Sequence, residues 1–257
     1  MIKKKIIFCA AIGLSLSASA QVKKQTSAAP AKVSNSHLKV FNLAIASGDA
    51  TAATTALNYY LSEQDNNSAY ADTLAMLYMQ QGAFAQCYYW ANRRLQINPG
   101  DNTLLELKGI SLDKLQQPKE AIDIFEKLFA KTKSPYHAYK LMELQYGIKR
   151  LAECLVTATE AEKLTYKPEF LMTYNVGQQT GRTYLQAGVY NIHALALYDL
   201  DKKANAKTYF EKALALDSTF ALAKQNLDAI KSIETGGGKN MQPVNNQPTA
   251  SPANKQK

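Results

Sequence analysis

Residues 206–220 read AKTYFEKALALDSTF, and residues 121–135 read AIDIFEKLFAKTKSP. In both stretches an alanine stands four residues before the phenylalanine of a Phe-Glu-Lys triplet, and apolar residues continue at helical spacing. The two alanines, at 121 and 206, are 85 residues apart, which is two and a half times 34. This distance predicts an array of helical repeats with an irregular step inside it.

Other columns of residues recur every 34 positions. Gly48 and Gly82 each follow an apolar helical pattern, and Ala53, Cys87 and Ala121 are small residues early in a second pattern. These columns predict helix–turn–helix units over 34–67, 68–101 and 102–135. Further units are predicted over about 136–167 and 187–220, followed by a closing helix over 221–233. The register of the second helix in the fourth unit stays open.

The unit over 187–220 resembles the tetratricopeptide repeat family. The residues on the family pattern are Tyr190, Ala194, Leu197, Ala206, Phe210 and Ala213. The resemblance implies an all-α fold, a solenoid of antiparallel helix pairs that stack on their neighbours. The small residues mark the closest approach of the two helices of a unit, which pairs Ala75 with Cys87, Gly109 with Ala121, and Ala194 with Ala206.

An insertion over about 168–186 explains why Ala121 and Ala206 are two and a half repeats apart. Phe170, Met172, Tyr174 and Val176 alternate there with Leu171, Thr173 and Asn175. A glycine-bounded stretch, 177–181, follows, and 182–186 continues beyond it. Period-two alternation around such a turn predicts a β-hairpin, and an irregular loop is the alternative.

The two ends of the chain have the composition of unfolded or processed segments. Three lysines, an apolar run over 6–16 and Ala18-Ser19-Ala20 predict a signal peptide over 1–20. Residues 21–33 and 234–257 are expected to be disordered. The mature protein is therefore expected to be exported to the periplasm or secreted, without stable membrane insertion after cleavage.

The net charge of +9 does not indicate a nucleic-acid-binding domain. Residues 1–36 hold six lysines and no acidic residue, and residues 234–257 hold three lysines and one glutamate. The repeat region between them is nearly balanced, whereas a DNA-binding domain concentrates positive charge on its folded surface. We expect no nucleic-acid partner.

The sequence contains no convincing catalytic or metal-binding pattern. Cys87 and Cys154 are about two units apart, farther than a disulfide reaches, so both are predicted to be buried free thiols. His193 lies on a core-facing column and is interpreted as a hydrogen-bonded buried histidine. The three histidines lack the spacing that places two ligands on one helical face. We therefore expect no cofactor and no enzymatic activity.

The resemblance implies a protein-binding scaffold, because first helices of successive repeats in this family line a concave groove that binds peptides or protein segments. The residues at groove-facing positions are Asp72, Met76, Met79, Gln80, Glu106, Ile110, Asp113, Lys114, Asn191, Leu195 and Tyr198. Met79 and Ile110 are expected to face solvent in the free protein. The alternative is an enzyme or an enzyme-complex subunit of the cell envelope with its site near the insertion. Self-association stays open.

Overall fold

The computed structural model describes residues 34–64 and 68–234. The predicted signal peptide, the linker over 21–33 and all but the first residue of the predicted tail lie outside these residues. The described chain divides into two units, which we call the N-terminal unit (34–64 and 68–131) and the C-terminal unit (132–234). Each is described by itself.

The N-terminal unit consists of three helix pairs, with its last helix ending one residue beyond it. The helices are α1 (Ser34–Ser47), α2 (Ala50–Ser62), α3 (Tyr70–Gln80), α4 (Phe84–Leu95), α5 (Asn102–Lys114) and α6 (Pro118–Thr132). Two aspartates fix helix starts, since Asp49 Oδ1 accepts from the Ala52 N–H at 2.9 Å and Asp101 Oδ1 from the Leu104 N–H at 3.0 Å. These two N-cap aspartates thus determine where α2 and α5 begin.

The C-terminal unit contains helices and a two-stranded antiparallel sheet. Its elements are α7 (Pro135–Gly147), α8 (Leu151–Ala161), β1 (Leu171–Val176), β2 (Gln179–Tyr184), α9 (Leu185–Asp199), α10 (Lys203–Leu216) and α11 (Ala221–Glu234). The all-α fold class with a small hairpin is confirmed. The second helix of the fourth repeat, whose register the sequence left open, is α8.

The same backbone turn recurs at the end of the first helix in successive pairs. Gly48 and Gly82 have φ of 74° and 71°, the left-handed conformation that ends a helix. At the matching place after α5, Gln116 adopts φ 60°, and Lys149 and Asp201 adopt 62° and 58° after α7 and α9. The tertiary array therefore imposes a left-handed residue at the turn even where no glycine is available.

The predicted small column lies in the closest helix contacts. Ala75, Cys87, Ala194 and Ala206 are all completely buried. A Cβ atom built on Gly109 would lie 2.8 Å from the Phe125 ring, so α5 and α6 approach each other over a residue without a side chain. Larger residues at these places would overpack the interface.

The hairpin is confirmed, but its turn is shorter than the sequence suggested. Val176 pairs with Gln179, so the turn is the two residues Gly177 and Gln178, and β2 already begins at Gln179. Gly177 has φ 59°, as a type II′ turn requires at its first central position. Gly181, expected to bound the turn, instead pairs with Tyr174 inside the ladder.

Two side chains hold the hairpin on the helices of the C-terminal unit. A Cβ atom on Gly188 of α9 would clash with the Met172 sulfur, so Met172 occupies the space that the glycine leaves. The Tyr174 hydroxyl accepts from the Ala221 N–H at 3.1 Å and donates to the Thr219 carbonyl at 3.4 Å. The hairpin is thereby fixed to α9 and to the start of α11.

Cys87 and Cys154 are buried free thiols, as predicted. The Cys154 Sγ donates to the Met142 carbonyl at 3.6 Å, and burial raises its pKa to about 12. Burial also raises the pKa of Cys87. A thiol that stays protonated near neutral pH is a poor nucleophile, which leaves Cys154 a packing role.

Candidate protein-binding surface

The first helices of two successive pairs, α3 and α5, lie side by side in the N-terminal unit. Most of their predicted groove residues keep part of their surface in solvent. Gln80 is exposed, and the half-buried residues are Asp72, Met76, Glu106, Asp113 and Lys114. This set, which we call the α3–α5 face, mixes one thioether with amide, acidic and basic groups.

Three of the charged residues on the α3–α5 face take part in ion pairs. The Arg94 Nε of α4 donates to Asp72 Oδ1 at 2.5 Å, and Arg94 itself is nearly buried. This pair ties α3 to α4. Lys114 Nζ lies 3.9 Å from Asp113 Oδ2, a looser contact between neighbours that leaves both groups available to a partner.

The expectation that Met79 and Ile110 face solvent is wrong. Each retains only 8% of its exposed surface. Helical spacing places both on the outward side of an isolated helix, but α3 packs against α2, α4 and α5, and α5 packs against α3, α4 and α6. Neighbouring helices thus cover positions that the pattern assigned to the groove.

The predicted groove residues of α9 are also largely covered. Asn191 and Leu195 are 3% and 1% exposed, and Tyr198 is half-buried. The Asn226 amide of α11 donates to Asn191 Oδ1 at 3.3 Å, while α7, α8, α10 and the hairpin pack around the remaining sides of α9. This helix belongs to the core of the C-terminal unit.

A narrow cleft remains beside α9. It offers about 10 Å³, at the lower limit for one water molecule. Its lining residues are Tyr139, Glu143, Tyr146, Met172, Gly188, Asn191, Ile192 and Leu222. The cleft is too small for a peptide, so the candidate binding residues that stay accessible lie mainly on the α3–α5 face.

Sequence reasoning missed an apolar surface on α1 and α2. Val40, Leu43 and Tyr59 are 50%, 70% and 60% exposed, and an open groove of about 490 Å³ runs between the two helices beside Val40 and Tyr59. The adjacent tyrosines at 59 and 60 were the available signal, since one helical face cannot bury both.

The three histidines each have a hydrogen-bonding partner. His37 Nε2 lies 3.3 Å from Glu63 Oε1, and His137 Nδ1 lies 2.7 Å from the Thr132 hydroxyl. His193 Nδ1 lies 2.5 Å from Glu162 Oε1, and its ring stacks on Tyr209 with centroids 3.8 Å apart. The interpretation of His193 as a satisfied core histidine is confirmed.

His193 should make the C-terminal unit sensitive to acid. Burial lowers its pKa below 6.5, and Lys212 acts in the same direction, whereas Glu162 opposes both. The unfolded chain therefore binds a proton at a higher pH than the folded chain. Stability is full above the unfolded pKa of 6.5 and is lost as pH falls through the lower folded pKa. Urea unfolding should give a larger loss between pH 7.5 and 5.5 for the wild type than for His193→Gln. An equal loss in both would contradict this assignment.

Within residues 34–64 and 68–234, no group of three or more His, Cys, Asp or Glu side chains could hold a metal ion. The same residues contain no helix with the length and apolar character needed to span a bilayer.

A tetratricopeptide repeat model matches residues 187–220, the unit formed by α9 and α10. Residues 187–220 therefore form a tetratricopeptide repeat. A second model, described as anaphase-promoting complex, cyclosome, subunit 3, matches residues 48–128, from the start of α2 into α6. None of the curated proteins is similar enough to this tetratricopeptide repeat protein to count as a match.

Several solved structures share the fold of this tetratricopeptide repeat protein. A MamA protein is 17% identical with a TM-score of 0.59, covering 73% of this chain and 93% of its own. MamA from Desulfovibrio magneticus RS-1, residues 41 to the end, is 16% identical with a TM-score of 0.59, covering 75% and 99%. YrrB, described as a TPR protein with an unusual peptide-binding site, is 13% identical with a TM-score of 0.57, covering 73% and 88%.

Proposed function

We propose that this protein is an exported scaffold that binds an extended or helical segment of another protein on the α3–α5 face. The observation that carries the proposal is the pairing of two first helices whose outward residues remain accessible, namely Met76 and Gln80 on α3 and Glu106, Asp113 and Lys114 on α5. Neither metal nor cofactor is needed for such binding.

The chemistry of this face suits a protein segment. Met76 is unbranched and polarizable and adapts to different apolar side chains. The Asp113–Lys114 pair offers both signs of charge at one end of α5, which favours a partner with mixed polarity. The peptide-binding site described for YrrB supports binding as a function of this fold.

Binding without catalysis is the reading that we favour. The three histidines are engaged with Glu63, Thr132 and Glu162. The insertion over 168–186 offers one arginine and one glutamate, with no histidine, cysteine or aspartate for acid–base chemistry. The balanced charge of the repeat region argues against a nucleic-acid partner.

A double variant and a control charge reversal outside the face test the α3–α5 face. Lys114→Glu combined with Met76→Glu should reduce recovery of crosslinked partners at least about fivefold, because a few desolvated anchors dominate an interface. Lys119→Glu makes the same lysine-to-glutamate change as Lys114→Glu, on an exposed residue of α6, and should leave recovery unchanged. Crosslinking in cells, followed by quantitative mass spectrometry, measures both variants.

Circular dichroism and thermal melting must show that both variants fold. A folded double variant that recovers the same partners in the same amounts as the wild type would remove the α3–α5 face as the binding surface. If the double variant unfolds, Lys114→Glu alone, at a half-buried ion pair, provides the comparison.

Export rests on the composition of residues 1–20, with its basic start, apolar run and small-x-small ending. N-terminal sequencing of the protein from its cells should return Gln21. A cytoplasmic protein that begins at Met1 would contradict the proposed location.

A further inference from the structure

Within the described residues, β1 pairs only with β2, which leaves the outer backbone edge of Leu171 and Thr173 without a partner strand. The Phe170 carbonyl accepts from the Leu185 N–H at 2.8 Å, which continues the β1–β2 ladder by one bonded pair. Bonded and non-bonded pairs alternate in an antiparallel ladder. The Leu171↔Tyr184 and Thr173↔Arg182 pairs are therefore non-bonded. The N–H and C=O groups of Leu171 and Thr173 consequently point away from β2.

This edge lacks the features that usually protect an edge strand. Leu171 and Thr173 are exposed, and no other strand in the described part of the chain pairs with β1. The strand reads LMTYNV, without charge or proline, and its register runs without a bulge. Edge strands are normally guarded by such devices because their free groups accept another strand.

The strand is also held in place before any partner arrives. Met172 and Tyr174, on the inner side, are nearly buried against α9 and the start of α11. Because alternate residues are fixed in this way, the outward groups of Leu171 and Thr173 keep their extended arrangement. Preorganisation lowers the entropy lost when a partner strand binds.

The hairpin carries one cation and one apolar spot beside the edge. Arg182 is the one charged residue of strands β1 and β2, and it is exposed. Arg182 pairs with Thr173 on the outer face, and Leu171 pairs there with Tyr184, both partly exposed. The outer face thus places an apolar pair two residues from a guanidinium.

We propose that β1 binds an extended acidic segment of a partner protein by strand addition. The segment completes the backbone bonds of Leu171 and Thr173, places an apolar side chain against the Leu171–Tyr184 pair, and directs a carboxylate toward Arg182. A second copy of this hairpin is a poorer occupant, because its strands bring a second arginine and no carboxylate to the edge. The site is independent of the α3–α5 face.

A short peptide tests the chemistry directly. The probe is a fluorescent, end-capped peptide in which one isoleucine and two glutamates alternate with threonines, and its control carries lysines in place of the glutamates. Fluorescence anisotropy should show saturable binding of the acidic peptide and at least about tenfold weaker binding of the basic one. Absence of saturable binding, or equal binding of both peptides, overturns the proposal.

Two substitutions at Thr173 separate backbone recognition from side-chain recognition. Thr173→Pro removes the outward N–H without removing a β1–β2 bond and should weaken acidic-peptide binding at least about tenfold. Thr173→Val keeps the N–H and should bind within about twofold of the wild type. Unchanged binding by a folded Thr173→Pro variant overturns strand addition.

Arg182→Glu tests the same site without introducing a proline into β1, so its result does not depend on whether the Thr173→Pro variant folds. This variant should bind the acidic peptide more weakly and the basic peptide more tightly, and failure to reverse the preference overturns the assignment. Met76→Glu, on the α3–α5 face, should leave peptide affinity unchanged. Light scattering that shows a dimer abolished by Thr173→Pro would assign the edge to a second copy and overturn the acidic partner.

Discussion

Replacing Phe210 with alanine is expected to lower the free energy of unfolding by about 3–5 kcal/mol. Phe210 is the phenylalanine of the Phe-Glu-Lys triplet in α10 and is completely buried. Its removal takes a large apolar side chain out of the core of the C-terminal unit and leaves a cavity that the neighbouring helices fill only in part. The melting temperature should fall by roughly 10 °C or more, measured by calorimetry.

Glu211→Ala is the matched control, because it changes the next residue of the same triplet at an exposed position of α10. Its effect should stay within about 0.5 kcal/mol. Phe125→Ala should repeat the Phe210 result in the N-terminal unit, where the equivalent ring is also completely buried. A loss below about 1 kcal/mol at Phe210 would contradict its place at the centre of the core.

Ile110→Glu is expected to destabilise the N-terminal unit by about 4 kcal/mol or more. Ile110 retains 8% of its surface, so the substitution removes apolar packing and introduces a carboxylate without a prepared partner. Burial raises the pKa of such a carboxyl, so its charged form costs most above its unfolded pKa. The loss should therefore become smaller as pH falls, measured by urea unfolding at pH 7.5 and 5.0.

Gln80→Glu is the control for the added charge, since Gln80 is exposed at the end of α3. It should unfold like the wild type. Ile110→Leu tests shape alone and should cost less than about 1.5 kcal/mol. A folded Ile110→Glu variant of undiminished stability would place Ile110 on an open groove wall, as the repeat pattern alone suggested.

The helix pairing of this protein is determined locally by its sequence. Alanine, glycine or cysteine is required where two helices come closest, and this requirement acts on single positions such as Gly109 against the Phe125 ring. Small residues that recur at a fixed spacing can be recognised in the sequence without knowing which helices pack against each other. Strand β1 is also determined locally, because the alternation of its inward and outward side chains follows from the pleat of a single strand.

The accessible surface could not be predicted in the same way. Helical spacing says which residues share a face, but burial depends on which element covers that face. Asn191 and Leu195 lie on α9, whose sides are covered by α7, α8, α10, α11 and the hairpin, so the groove pattern failed there. Gln116 shows the same dependence, since a left-handed turn without glycine is maintained by its surroundings.

The sequence by itself therefore determined the repeat period, the small helix contacts and the existence of the hairpin, because each depends on residues close in the chain or at one fixed interval. Only the tertiary structure decided that Met79 and Ile110 are buried and that, within the described residues, β1 pairs with β2 alone. These properties depend on contacts between elements that are distant in the sequence, and the sequence of one segment does not show which other element packs against it.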